Sequence, residues 1–136
     1  SAISKIVVET SAAEPASSSF AGTILLVDDR DAFRLMTVEL LSSFGFTVES
    51  VRSAEAALLL FDPSTHDVVV TDNSMPGMSG AELAHIIKLR SPSTPVLMYT
   101  ASPPEDSSCL DLVIQKPAPV QALKHGVEKL LTETRS

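Results

Sequence analysis

Val68-Val69-Val70-Thr71-Asp72-Asn73-Ser74-Met75-Pro76-Gly77-Met78-Ser79-Gly80 is the stretch that decides the fold. A short apolar run ends abruptly in a carboxylate and is followed by a Pro/Gly turn. Ser79, with Glu82 three residues on, then has the pattern of a capping box that opens a helix. A run without polar alternation is what a strand buried on both faces requires. In open α/β sheets, ligands gather at the carboxyl ends of the parallel strands, so Asp72 stands where chemistry is placed.

Reading outward, the same pattern recurs. Strands are predicted at 23–27, 47–51, 67–71, 95–99 and 111–115, and all but 47–51 are near-continuous apolar runs. Helices fall between them. Phe33, Met36, Leu40, Leu41 and Phe44 form one stripe, which Gly45 ends. Ser53 caps a helix over 54–61 that Pro63 stops, and a third helix covers 80–90. Pro119 suits the first turn of a last helix striped with Val120, Leu123, Val127, Leu130 and Leu131. Strands alternating with helices predict an α/β three-layer sandwich around a parallel sheet, a single domain over 22–136. Residues 1–21 read differently, as an N-terminal arm and linker. Ile3 to Val8 have the makings of a short strand, and 10–19 are a small-residue linker. The arm is expected to contact a neighbouring molecule, and the oligomeric state stays open.

Composition narrows the function classes. The 136 residues carry a formal charge of −7, and nucleic-acid affinity comes mainly from Lys and Arg meeting phosphates, so direct nucleic-acid binding is not expected. The one cysteine, Cys109, allows no intrachain disulfide and no cysteine-built metal cluster. No apolar run is long enough to cross a bilayer, and no signal-peptide pattern opens the chain, so a cytoplasmic protein without membrane attachment is expected. His66, His85 and His125 do not follow strand ends and are read as surface or core residues.

Three other predicted strands also end in polar groups: Asp28-Asp29 after 24–27, Thr100 after 96–99, and Lys116 after 112–115. Asp28, Asp29 and Asp72 converging at one sheet edge would repel one another unless a cation sat among them, and a hard ion with oxygen ligands, Mg²⁺ by default, is indicated. Asp72 would then be a nucleophile able to form an acyl phosphate. The Thr100 hydroxyl and the Lys116 ammonium would each meet a phosphoryl oxygen, and positioning with electrostatics would carry the reaction.

Val27-Asp28-Asp29, Asp72 with Met75-Pro76-Gly77 and Gly80, Thr100-Ala101 and Lys116-Pro117 together resemble a response-regulator receiver domain of two-component signalling, over residues 23–133. The resemblance implies a flavodoxin-like sandwich with a five-stranded parallel sheet of order 2-1-3-4-5. It implies that Asp72 takes phosphate from a sensor histidine kinase or a histidine phosphotransfer protein. It further implies that Asp28, Asp29, Asp72 and the backbone carbonyl of Ser74 hold Mg²⁺, that Lys116-Pro117 is cis, and that the chain catalyses only its own phosphorylation and dephosphorylation. Kinase docking is implied on the first helix, where Leu35 and Val38 lie off the stripe, and on the loop after Lys116. Two positions depart from the family pattern. Val113 stands where an aromatic residue usually couples to the threonine. Residues 100–110 are too few for a normal crossover, so a shortened or missing fourth helix is expected. Two other readings compete. Asp29-Arg30-Asp31 resembles the nucleophile motif of haloacid-dehalogenase-type phosphatases, although no late acidic pair follows Lys116. A pseudo-receiver that only binds would fit Val113 and the short crossover.

Overall fold

A computed structural model describes residues 22–135, and the expected arm over 1–21 lies outside them. The chain runs β1 (Thr23–Val27), α1 (Asp31–Ser43), β2 (Thr47–Val51), α2 (Ala54–Leu60), β3 (Val68–Thr71), α3 (Gly80–Arg90), β4 (Val96–Thr100), β5 (Leu112–Gln115) and α4 (Val120–Arg135). All strand pairs are parallel, and the sheet order is β2-β1-β3-β4-β5, as expected. The three central strands are buried almost throughout, which accounts for their unbroken apolar sequences. The mixed sequence of β2 fits its place at one edge.

Three strands begin one residue later than the sequence pattern suggests, each for a local reason. Asp67 uses its carboxylate to accept the Thr23 amide at 2.8 Å before β3 starts. Pro95 has no N–H to give, so β4 starts at Val96 and runs through Thr100. Asp111 turns its carboxylate back onto the Val96 amide at 2.7 Å and onto the Lys88 ammonium at 2.7 Å. The helix starts agree with the capping signals. Ser53 accepts from the Ala56 amide at 3.0 Å, and Ser79 and Glu82 form the reciprocal box. Pro119 sits just ahead of α4, where its carbonyl accepts the Ala122 amide. Gly45, at φ 105°, turns the chain out of α1 in a conformation that side chains other than glycine resist.

Two apolar layers sandwich the sheet. One joins α1 and α4 to the face bearing Ile24, Leu26, Val70 and Leu97; the other joins α2 and α3 to the face bearing Leu25, Val27, Val69 and Val96. The α1 stripe is rotated from the expected one. Leu41 and Thr37 are buried, Phe33, Val38 and Phe44 pack against the core, and Met36 and Leu35 are exposed. Thr37 belongs inside because its hydroxyl donates to the Phe33 carbonyl at 2.9 Å, leaving only its methyl to pack. Between β4 and β5, residues 101–111 contain no helix. Among the described residues the helices are therefore the four α1 to α4 above, and the crossover that would carry one more is a loop.

Candidate functional site

The β1, β3, β4 and β5 ends meet at one edge because the strands are parallel and in register. Thr71 pairs with Val27 and with Met98, and Thr100 pairs with Gln115. Asp28, Asp72 and Lys116 thus follow directly on strand ends that lie beside one another, and Thr100 is the last residue of its strand. Gly80 allows the turn that follows Asp72. Its amide donates to the Asn73 carbonyl at 2.9 Å, and α3 approaches so closely that a Cβ there would lie 2.9 Å from the Asp72 carbonyl carbon.

Asp28 and Asp72 are buried, and Asp29 is half-buried. One carboxylate oxygen of each of the three lies within 4.8 Å of the others. Carboxylates so close, two of them removed from water, need positive charge among them. An all-oxygen, all-carboxylate donor set suits a small hard divalent cation. Ser74 lies two residues past Asp72 with its side chain exposed.

The Lys116 ammonium is the second element of the site. It lies 3.9 Å from Asp72 Oδ2 and 4.0 Å from Asp28 Oδ2, within ion-pair range but beyond hydrogen-bond length. Its Nζ is buried and makes no hydrogen bond among the described residues. It rests on the Phe33 ring at 3.9 Å and faces Tyr99 at 4.8 Å, held by two aromatic faces with its donors unspent. Burial lowers its pKa; Asp72 and Asp28 raise it in part, while Arg30 lowers it further. The Lys116-Pro117 bond is cis.

Thr100 is buried, and its Oγ1 accepts the Ser102 amide at 3.1 Å, which leaves the hydroxyl proton able to donate. Asn73 gives its amide to Asp72 Oδ1 at 2.6 Å. Its side chain bridges two elements, donating to the Ser102 carbonyl at 2.9 Å and accepting from the Ala81 amide at 3.1 Å.

The structure thus brings Asp28, Asp29, Asp72 and Lys116 together, sets Thr100 at the end of the neighbouring strand, and adds Arg30, Phe33, Tyr99 and Asn73. Arg30 reaches across the acids, with Nη2 3.2 Å from Asp72 Oδ2 and Nε 3.4 Å from Asp28 Oδ1. Its signal was an arginine placed directly after an acid pair. The phosphatase motif is not assembled, because Asp31 opens α1 with its carboxylate paired to Arg34 and Arg52, each at 2.7 Å. His66 is a core residue, while His85 and His125 are exposed.

Comparison with known proteins agrees with this geometry. The response regulator receiver domain family matches residues 24–132. The chemotaxis protein CheY of Pseudomonas aeruginosa is 33% identical over 116 residues, covering 79% of this chain and 94% of CheY. The response regulator protein FleR of the same organism is 40% identical over 81 residues, but these are only 17% of FleR's length and 60% of this chain. Among solved structures, the response regulator TrrA of Thermotoga maritima, crystallised with Mg²⁺ and BeF, aligns with a TM-score of 0.75 at 30% identity, covering 80% of this chain and 98% of TrrA. TrrA has also been solved in complex with the histidine kinase ThkA, and there it aligns with a TM-score of 0.74 at 32% identity over 81% of this chain and 98% of TrrA. With its five parallel strands, its acid edge and these relatives, the chain belongs to the response regulator receiver domain family.

Proposed function

We propose that Asp72 is the phosphoacceptor, and that a sensor histidine kinase or a histidine phosphotransfer protein is the donor. The observation that carries this reading is the Lys116 ammonium, buried with no hydrogen bond spent and 3.9 Å from the Asp72 carboxylate. Such a group is costly unless it has a partner to receive, and a phosphoryl oxygen supplies one. An Asp72 oxygen forms a bond to phosphorus while the bond from phosphorus to the donor imidazole nitrogen breaks, and the leaving electron pair returns to that nitrogen. Lys116 neutralises one phosphoryl oxygen as a point charge, and the Thr100 hydroxyl donates to another. Asp28, Asp29, Asp72 and the Ser74 carbonyl would hold Mg²⁺, which when bound offsets repulsion between the acids and the donor. The TrrA structures with Mg²⁺-BeF and with a histidine kinase support both the cation and the class of partner.

Intact-mass measurement after incubation with acetyl phosphate and Mg²⁺ tests the assignment. One phosphate per chain is expected, absent in Asp72→Asn and absent with EDTA. Full labelling of Asp72→Asn would overturn it.

A further inference from the structure

Arg30 occupies the ground that the metal-site reading above reserves for a cation. Its backbone amide and Nε both meet Asp28 Oδ1, at 2.9 and 3.4 Å, and its Nη2 meets Asp72 Oδ2 at 3.2 Å. The guanidinium also lies over the Phe33 ring, 4.8 Å from its centroid. Arg30 is the N-cap residue of α1, its carbonyl accepting the Arg34 amide at 2.8 Å, but its side chain makes no capping bond to the helix. Among the described residues the hydrogen bonds of its guanidinium go to the acids alone. Among the described residues, two protein cations pair with this acid cluster, Arg30 and Lys116. Of these only Arg30 hydrogen-bonds the acids; Lys116 stands off at about 4 Å. Arg30 is also the one with room to leave, since its side chain is 51% exposed against 12% for Lys116.

We infer that Arg30 is a tethered counter-cation, bridging Asp28 and Asp72 until a divalent ion displaces it, and that it thereby sets the metal concentration at which the site becomes competent. The inference rests on the metal-site reading of the acid cluster. A guanidinium spanning one oxygen from each of two acids competes directly with an ion that must bind the same two residues. Metal binding then requires breaking two charge-assisted hydrogen bonds, and the freed guanidinium is left at the mouth of the pocket. A cation tied on by two bonds of the loop itself has a high effective concentration, so the competition is not diluted away.

Calorimetric Mg²⁺ titration of wild type, Arg30→Gln and Arg52→Gln tests it. Arg52→Gln removes the same charge from an exposed pair with Asp31, which is not one of the three acids. Arg30→Gln is expected to bind Mg²⁺ about three- to tenfold more tightly, the scale of one partly exposed charge pair, and Arg52→Gln within about twofold of wild type. In wild type, the Arg30 Nε–H resonance should move on Mg²⁺ saturation as its bond to Asp28 opens. Equal or weaker Mg²⁺ affinity in Arg30→Gln, or an Nε–H resonance unmoved at saturation, overturns the role of Arg30 while leaving the metal site standing. Absence of Mg²⁺ binding in all three proteins overturns both.

Discussion

Gly80→Ala should damage the site without touching any of its charged groups. Gly80 opens α3 directly against the end of β3. A Cβ at this position would lie 2.9 Å from the Asp72 carbonyl carbon and 3.0 Å from the Asn73 Cα, and it would meet the Asp72 carbonyl oxygen more closely still. These are backbone atoms, so no rotamer relieves the contact. Ordinary carbon contacts are about 3.5–4.0 Å, so either α3 or the Asp72 loop must give way by the better part of an ångström. Overpacking of this kind costs about 1–3 kcal/mol, against which alanine's better helix propensity returns at most about 1 kcal/mol. The hydrogen bond that the Gly80 amide donates to the Asn73 carbonyl is strained by the same shift. A 1 Å misplacement of a reacting group can cost about 10²-fold in rate. The expected outcome is a fall of several degrees in Tm together with a ten- to hundredfold slower labelling by acetyl phosphate, roughly the scale those terms imply. Gly126→Ala is the control. There the atoms nearest the new Cβ are side-chain methyls, Leu112 Cδ2 at 2.8 Å, Leu97 Cδ1 at 3.0 Å and Ile114 Cδ1 at 3.2 Å, which can turn aside. It should lose little stability and no labelling rate. Wild-type labelling and melting in Gly80→Ala, or equal damage from both substitutions, would refute the reasoning.

Other outcomes follow from single features. Burial holds the Lys116 pKa below its ordinary 10.5, so the unfolded chain keeps a proton the folded chain sheds; stability relative to Lys116→Met should rise with pH from the lowered value towards 10.5. Urea melts of both proteins between about pH 8 and 9 check this, a window kept below the ionisation of unfolded Tyr99, and a flat or falling difference contradicts it. Leu35, 59% exposed on α1, should matter to docking alone: Leu35→Glu is expected to lose phosphotransfer from a histidine kinase while keeping acetyl phosphate labelling, and unchanged kinase transfer would remove the docking role. With Val113 offering no ring and 101–111 no helix, beryllofluoride and Mg²⁺ should perturb amides near 72–74, 100–102 and 116 without dimerisation. Amide NMR with sedimentation checks this, and a monomer-to-dimer shift through 101–111 would oppose it.

The architecture was legible because β1, β3 and β4 are so fully buried that their sequences carry no polar break, while Ser53, Ser79 and Gly45 mark helix ends by local chemistry. Val113 and the short 100–110 segment were legible as departures, and the missing helix bears out the second. Strand starts were less legible, because the Asp67 and Asp111 carboxylates stand in for backbone partners in a way that periodicity does not register. Met36 was placed in the core by spacing, but Thr37 goes inside in its stead, since its hydroxyl is satisfied within the helix. At the site, Asp28, Asp29, Asp72, Thr100 and Lys116 are found by position alone, each at a strand end. Arg30, Phe33 and Tyr99 escape such reading because their contribution is a matter of reach: a guanidinium folding back across two acids, and two rings closing on one ammonium.

Asn73 has a mechanical consequence. Its main chain touches the Asp72 carboxylate, and the two ends of its side-chain amide grip the Ser102 carbonyl and the Ala81 amide. The one amide plane carries both bonds, so a displacement of Ser102 on the β4 side must either lengthen its bond to Asn73 or turn an amide that also holds the first turn of α3. In a domain whose β4–β5 crossover is a loop, Asn73 gives α3 a direct connection to events at Asp72. The acid edge is thus joined to a neighbouring helix by hydrogen bonds that do not pass through the crossover.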